Sequence, residues 1–365
     1  MFNALFSGSA STGSVDFSFL TKSSTSGTAS TANVGSVKSA LVNAEKNEAK
    51  QLAQVAKDPQ IQKDLARYEK VVKNAKTIDD VLNDPIARTV LMTANGLKAD
   101  INNIALAKKG MTSDPNDAKS VAARMSSING AWLDFAKTYN LAEHGLDALY
   151  PQQDGAAGRW RISFEREGEP VEAMLEITKV RGGGYQAEID GVATPITVDA
   201  NNNVSINSLW RDAAGELRTA SFQGVLGKNS LSGTVTNDGE TGSSAWTAPA
   251  YFADALQTVR ENYIAEKRLD MLDAQMPGLG SAVLFKQVAK DMKDAIDILG
   301  SALGREVITT AFNIPKQIAV QSMVAQEKAI TQRMDPAKLQ NDHFVDQIAQ
   351  RYLIMLNGGL GGVTA

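Results

Sequence analysis

This chain carries the same segment twice. Residues 68–101 align without a gap to residues 285–318, at an offset of 217 positions. Tyr68 falls on Phe285, Val71 on Val288, Lys73 on Lys290, Lys76 on Lys293 and Asp80 on Asp297. Leu82 then falls on Leu299, Ile86 on Leu303, Arg88 on Arg305, Val90 on Val307 and Leu97 on Ile314. Polar positions agree as well as apolar ones, which two unrelated amphipathic helices would not produce. An internal repeat constrains architecture before any other feature is considered.

Between the repeated segments the pattern changes. From residue 38 to about 150 the apolar residues recur at helical spacing: Ile61, Leu65, Tyr68 and Val72 form one stripe. Helices are expected over 38–57, 60–76, 78–95 with a break at Asp84-Pro85, 98–110, from Ser113-Asp114-Pro115 onward, and 130–142. After Pro151 the period becomes two, as in Trp160, Ile162 and Phe164 and again in Ala173, Leu175 and Ile177. Asp190-Gly191 is a two-residue hairpin signal. Six to eight short strands with closely spaced turns predict a small antiparallel barrel or sandwich ending at Pro249. Helical spacing returns over 251–275, 281–293, 295–299, 302–313, 315–333 and 342–356.

The expected fold is therefore α+β: a duplicated all-helical domain interrupted by an inserted antiparallel β-barrel or sandwich. The expected divisions are a tail at 1–37, a first helical half at 38–150, the β insert at 151–249, a second helical half at 250–357 and a short tail at 358–365. Residues 7–36 are mostly Ser, Thr and Gly, with only Asp16 and Lys22 charged, a composition that predicts disorder. Within them Phe17-Ser18-Phe19-Leu20 is an apolar knot. It reads either as a chance cluster or as a short docking segment, with Phe17, Phe19 and Leu20 as the contacting residues.

Composition narrows the function classes. Of the 365 residues 43% are hydrophobic and 21% charged, and the net charge is −4, so no basic field is available for nucleic acid. No apolar run approaches the ~20 residues of a membrane span. Met1-Phe2-Asn3-Ala4-Leu5-Phe6 lacks the basic start of a secretory signal, so none is expected. Cys is absent, which removes disulfides and thiolate chemistry. That absence fits both a cytosolic protein and one exported unfolded.

No motif announces an enzyme. His144 and His343 are the only histidines, and neither has metal ligands at suitable spacing. Both read as surface or interface residues. Arg181-Gly182-Gly183-Gly184 lacks the Lys and the helix of a phosphate loop, and Asp199-Ala200-Asn201-Asn202-Asn203 lacks the Gly and Glu of a calcium loop. The first reads as a hairpin loop and the second as a turn. Glu165, Glu167, Glu169, Glu172 and Glu176 read as a solvated outer strand face. The pair Arg88 and Arg305 reads either as an anion clamp or, on the repeat argument, as a structural tie between each helix and nearby carbonyls or carboxylates. No catalytic residue, cofactor or metal is expected.

Several stretches resemble an uncharacterised helical family of unknown function encoded in the flagellar gene clusters of alphaproteobacteria. They are Thr77–Leu82 with Val90–Leu97, Asp297–Leu299 with Arg305–Pro315, Ala329–Asp335, Gln350–Tyr352 and, near the start, Phe19–Lys22. The resemblance covers about 60–150 and 250–357; the β insert and the Ser/Thr/Gly tail depart from it. It implies a flagellum-associated structural or interaction protein, without enzymatic activity and exported by the flagellar secretion apparatus. Its partners would be other flagellar proteins or itself. Two other readings stand beside it. One is a cytoplasmic flagellar assembly or regulatory factor. The other is a small-ligand-binding β-barrel with Trp160, Phe164, Tyr185 and Trp210 lining its interior.

Overall fold

The computed structural model describes residues 34–151, 154–181, 183–212 and 214–358. The tail at 1–33, with Phe17, Phe19 and Leu20, lies outside the described residues, as do residues 359–365.

The described chain opens with α1 (Val34–Lys46) and α2 (Glu48–Ala56), where one helix was expected. The break falls at Asn47, whose side-chain amide turns back to donate to Asn43 O at 2.9 Å. Helix α3 (Pro59–Asn74) starts on Asp58, whose carboxylate accepts from the Gln60 and Ile61 amides. Next come α4 (Ile78–Asn83) and α5 (Pro85–Ala94), divided at Asp84-Pro85 as the sequence implies. Pro fits the first helical position because its missing N–H is not needed there. Gly96, at φ +70°, ends α5 in the left-handed conformation typical of a helix C-terminus.

The expected helix 98–110 is instead a 3-10 turn at Lys98–Asp100 followed by α6 (Ile104–Met111). The helix expected from Ser113-Asp114-Pro115 is also displaced, to α7 (Val121–Met125). Asp114 and Asp117 each accept an amide two residues ahead, and these local turns compete with helix until Ser120 caps Ala123 N. Helix α8 (Ala131–Tyr139) stops at Asn140, at φ +42°, and α9 (Leu141–His144) follows.

The β region holds nine strands: β1 (Gly158–Arg166), β2 (Glu169–Lys179), β3 (Tyr185–Ile189), β4 (Val192–Thr194), β5 (Ile196–Val198), β6 (Asn203–Arg211), β7 (Leu217–Leu226), β8 (Ser230–Asn237) and β9 (Ser244–Pro249). All pairings are antiparallel, in the order β4-β3-β2-β1-β9-β8-β7-β6-β5. The terminal strands of that order, β4 and β5, are one continuous stretch bent at Pro195. Ala187 pairs with Thr194 on one side of the bend, and Ile196 pairs with Ile206 on the other. The two ends of the sheet thus share one stretch of chain, and the sheet curves round to a near-barrel. Asp190 and Gly191 both have positive φ, the conformation a two-residue hairpin requires.

Helix α10 (Ala255–Gln275) follows, four residues later than expected. Then come α11 (Leu279–Val288), a 3-10 turn at Ala289–Asp291, α12 (Ala295–Gly300) and α13 (Ala302–Ala311). The helix expected over 315–333 is broken into a 3-10 turn at Lys316–Val320 and α14 (Met323–Thr331). Ser322 caps α14, and Gln326 folds its amide back onto Gln321 O at 2.9 Å. Helix α15 (Asp342–Leu356) starts on Asn341, which accepts from Phe344 N.

The chain divides into two compact units. One comprises the described residues up to Tyr68, Leu82–Ala142 and those from Val259 onward; the other comprises Glu69–Val81 and Glu143–Thr258. In the first unit a core joins Val37, Leu41 and Ala44 of α1 to Phe285, Val307, Ile308, Ile348 and Tyr352. Helix α1 therefore packs on α11 and α15, at the other end of the sequence. In the second unit the barrel interior is the core, with Trp160, Ile162, Leu175, Ile206, Phe222, Leu231 and Trp246 fully or almost fully buried.

Candidate functional site

The repeated positions adopt the same local geometry. Asp80 accepts from the amides of Lys76 and Thr77 at 2.8 and 2.9 Å; Asp297 accepts from those of Lys293 and Asp294 at 2.8 and 3.2 Å. The amides at Asp80 hold its carboxyl below the usual range. Asp84 caps α5 through Ala87 N, and Ser301 caps α13 through Gly304 N. Arg88 Nη1 donates to Leu82 O, and Arg305 Nη1 donates to Leu299 O, each six residues back. Leu97 N closes on Met92 O and Ile314 N on Thr309 O, both at 2.8 Å. Each guanidinium thus satisfies a carbonyl at the end of the preceding short helix, a group that would otherwise lack an intrahelical partner. Arg305 Nη2 also donates to Ile128 O at 2.9 Å, and burial pushes the Arg305 pKa down. Both arginines bind backbone oxygen in an arrangement that recurs at the repeat offset.

A second charged group lies deeper. Arg268 of α10 is 2% exposed. Its Nε donates to Gln51 Oε1 at 3.0 Å, its Nη1 to Glu48 Oε1 at 2.8 Å and its Nη2 to Ala44 O at 2.7 Å. Nearby in sequence, Tyr263 donates to Asp64 at 2.9 Å. Burial, and then the bond to Asp64, push the Tyr263 hydroxyl well above its ordinary value. Sequence reading missed Arg268 because its partners lie more than 200 positions away.

In the second unit His144 is packed where the sequence reading left open a surface or an interface position. Its side chain is 13% exposed. The ring lies 5.2 Å from Phe252 and 5.9 Å from Tyr251, and Nδ1 meets the Arg159 guanidinium. A nitrogen facing a guanidinium must act as acceptor, which places the imidazole proton on Nε2. Burial first, and Arg159 next, hold the His144 pKa below its usual value against the opposing pull of Glu143, Asp147 and Glu176. Arg159 also faces Glu176 at 3.6 Å, and Arg161 lies 5.2 Å from the Tyr251 ring centre. His343 is exposed and lies beside Gln347.

Of the residues considered as barrel lining, Trp160 and Phe164 are core residues, and Phe164 meets Phe222 edge-on at 5.0 Å. Trp210 is half-buried under Arg166, whose guanidinium is 4.4 Å from the ring centre. Tyr185 is half-buried, its hydroxyl beside Gly155. Gly224, Gly233 and Trp246 share one row across β7, β8 and β9; the indole lies against Gly224 and donates to Gln223 O at 3.1 Å. A side chain at Gly224 would stand 2.7 Å from the indole. Bulky side chains occupy this interior, as is usual in small barrels.

The turn at Asp199 is held by its own carboxylate, which accepts from the Asn201 and Asn203 amides. Arg181–Gly184 connects β2 to β3, with Gly183 and Gly184 at positive φ. Glu165, Glu167, Glu169, Glu172 and Glu176 are all exposed. Among the described residues no cluster of His, Asp and Glu is placed to hold a metal ion. No helix among them is long and apolar enough to cross a membrane.

Residues 94–154 and 240–345 match the family described as protein of unknown function DUF1217. Together they are fewer than half of the chain. The gap in the match, 155–239, contains β1 to β8. The first hallmark segment, from Thr77, lies largely outside the match. The sequence matches none of the curated proteins. The fold resembles the X-ray crystal structure of a protein from Agrobacterium tumefaciens at a TM-score of 0.50 and 16% sequence identity. The likeness covers 91% of this chain and 98% of that one. That is more of this chain than the helical segments alone supply, so the shared fold extends into the sheet.

Proposed function

We propose that this chain is a flagellum-associated structural or protein-interaction component without enzymatic activity, exported by the flagellar secretion apparatus. What supports the reading is the resemblance of its helical segments to a family encoded in flagellar gene clusters. The observation that carries the interaction part is a surface one. Val320, Met323 and Val324 stand 89, 56 and 73% exposed on one elbow between the 3-10 turn and α14. Large apolar side chains left this exposed are a feature of contact surfaces, whether the contact comes from another molecule or from another part of the same chain. Its partners are other flagellar proteins or further copies of itself.

We also read the helical portion as two copies of one unit. The matched helix bounds, Ile78–Asn83 with Ala295–Gly300 and Pro85–Ala94 with Ala302–Ala311, fall at the repeat offset of 217. The aspartate, capping and arginine geometry falls there too.

Fractionation of the native organism tests the functional reading. Cytoplasm, basal bodies, sheared filaments and medium are probed for the chain with and without a working flagellar export gate. Export-dependent appearance outside the cell is the expected result. Retention in the cytoplasm would favour an assembly or regulatory factor instead.

A further inference from the structure

We propose that residues Phe17–Leu20 of this same chain pack on the apolar elbow of Val320, Met323 and Val324. The inference rests on the reading of the helical portion as two copies, because the copies differ at this place. Between Ile101 and Asp114 the first copy has twelve residues; between Ile318 and Asp335 the second has sixteen. The longer connection forms the elbow, and Ile318–Ala325 contains no charged residue. Past the shared Asp-Pro the difference reverses. Nineteen residues separate Pro115 from Phe135, and they include α7, which packs on α6 and α8. Ala122 of α7 is fully buried, and its amide donates to Ser113 Oγ at 3.0 Å. Only eleven residues separate Pro336 from Ile348, and they form a 3-10 turn and the start of α15. The second copy thus has a longer apolar elbow and no counterpart of the short helix that covers α6.

The tail supplies a segment of the right kind. Helix α1 is buried in the same core as Phe312, Ile330 and the half-buried Ile318, so the chain enters this unit directly at residue 34. Residues 21–33 separate Leu20 from α1. Extended, they reach about 45 Å, enough to cross the face of a domain of roughly 200 residues. Phe17, Phe19 and Leu20 are apolar side chains in a stretch whose charges are limited to Asp16 and Lys22. An uncharged elbow and an apolar knot gain by removing each other from water. Tethering raises the local concentration of the knot above that of any second chain at ordinary protein levels.

The chain contains no Cys, so introduced thiols report one pair at a time. The full-length purified protein carrying Phe19→Cys with Val320→Cys is oxidised at low concentration and run without reductant. The expected product is a cross-linked monomer, formed at least tenfold faster than with Phe19→Cys and Thr112→Cys, the latter on an exposed position after α6. Equal rates for the two pairs, or a product that is mainly dimer, overturn the proposal. In a second measurement, amide exchange over 318–326 is compared between the native chain and Phe17→Ser/Phe19→Ser/Leu20→Ser. Faster exchange in the triple variant is expected, and unchanged exchange overturns the proposal. Both readouts use purified protein, so they stand or fall independently of whether the chain reaches a flagellum.

Discussion

Gln51 and Arg268 stand 217 positions apart, the offset of the repeat, and their side chains touch at 3.0 Å. Gln51 belongs to α2 and Arg268 to α10, so this contact joins the first helices of the described chain to the helix that follows the sheet. Glu48 and Ala44 O complete the guanidinium's partners. Further contacts join the same parts of the sequence: α1 rests on α11 and α15, and Tyr263 reaches Asp64.

Replacing Arg268 with Met removes three hydrogen bonds between α10 and the N-terminal helices. The expected loss is about 3 kcal/mol, the scale for a buried, hydrogen-bonded charge. Gln51→Ala should cost about 1 kcal/mol, and the double variant less than the sum, because the two share one interaction. Urea denaturation of the three variants reads these values; a native-like midpoint for Arg268→Met would show that these three bonds do not hold the N-terminal helices to α10.

The paired arginines should behave alike but not equally. Arg88→Ala leaves Leu82 O without its side-chain donor, a loss of about 1 to 2 kcal/mol. Arg305→Ala should cost more, about 2 to 3 kcal/mol, because Ile128 O loses a donor as well. Lysine should restore little at either position, since it lacks the planar fork. Thermal melts of the four variants give the order.

Gly224→Ala tests the packing of the barrel. The added methyl would stand 2.4 Å from Ser232 O and 2.7 Å from the Trp246 ring. Overpacking of this degree costs about 1 to 3 kcal/mol. The tryptophan emission should shift to the red as the indole is displaced, while the helical circular dichroism signal is kept. An unshifted emission spectrum would show that Trp246 does not rest on this glycine.

His144 gives the second unit a pH dependence. Its pKa is lowered in the folded state, so the folded state favours the neutral ring. That stabilisation is complete above the unfolded value of about 6.5 and is lost as pH falls from there through the lower folded value. Glu266 and Asp273, whose values burial raises, act in the opposite sense, adding stability as pH falls. The informative quantity is therefore the difference between His144→Phe and the native chain. The native midpoint in urea should fall relative to the variant between pH 7.5 and pH 5; parallel curves would show that His144 does not contribute.

What the sequence disclosed, it disclosed through local chemistry. The division at Asp84-Pro85, the hairpin at Asp190-Gly191 and the helix at 342–356 each follow from a cap, a turn or a period contained in a few residues. The start of α7 is not legible locally, because Asp114, Asp117 and Ser120 all offer the backbone side-chain partners, and Ser113 beside α6 also binds the Ala122 amide. The elbow is equally hidden, because Ile318, Val320, Met323 and Val324 suit a helical stripe as well as a break. The settings of His144 and Arg268 depend on contacts about 110 and 220 positions away, and no local pattern marks them. The loss of gapless alignment after Ile318 was the one available signal that the copies diverge there.

The bend at Pro195 has a consequence beyond shape. A sheet with open sides presents unpaired N–H and C=O groups, through which strands of other molecules can be added. Here the stretch from Val192 to Val198 pairs with both outermost strands, covering Ala187–Ile189 of β3 and Val204–Ile206 of β6. Strand addition from another molecule is thereby limited where the stretch is paired, and contacts made there fall to side chains rather than to backbone.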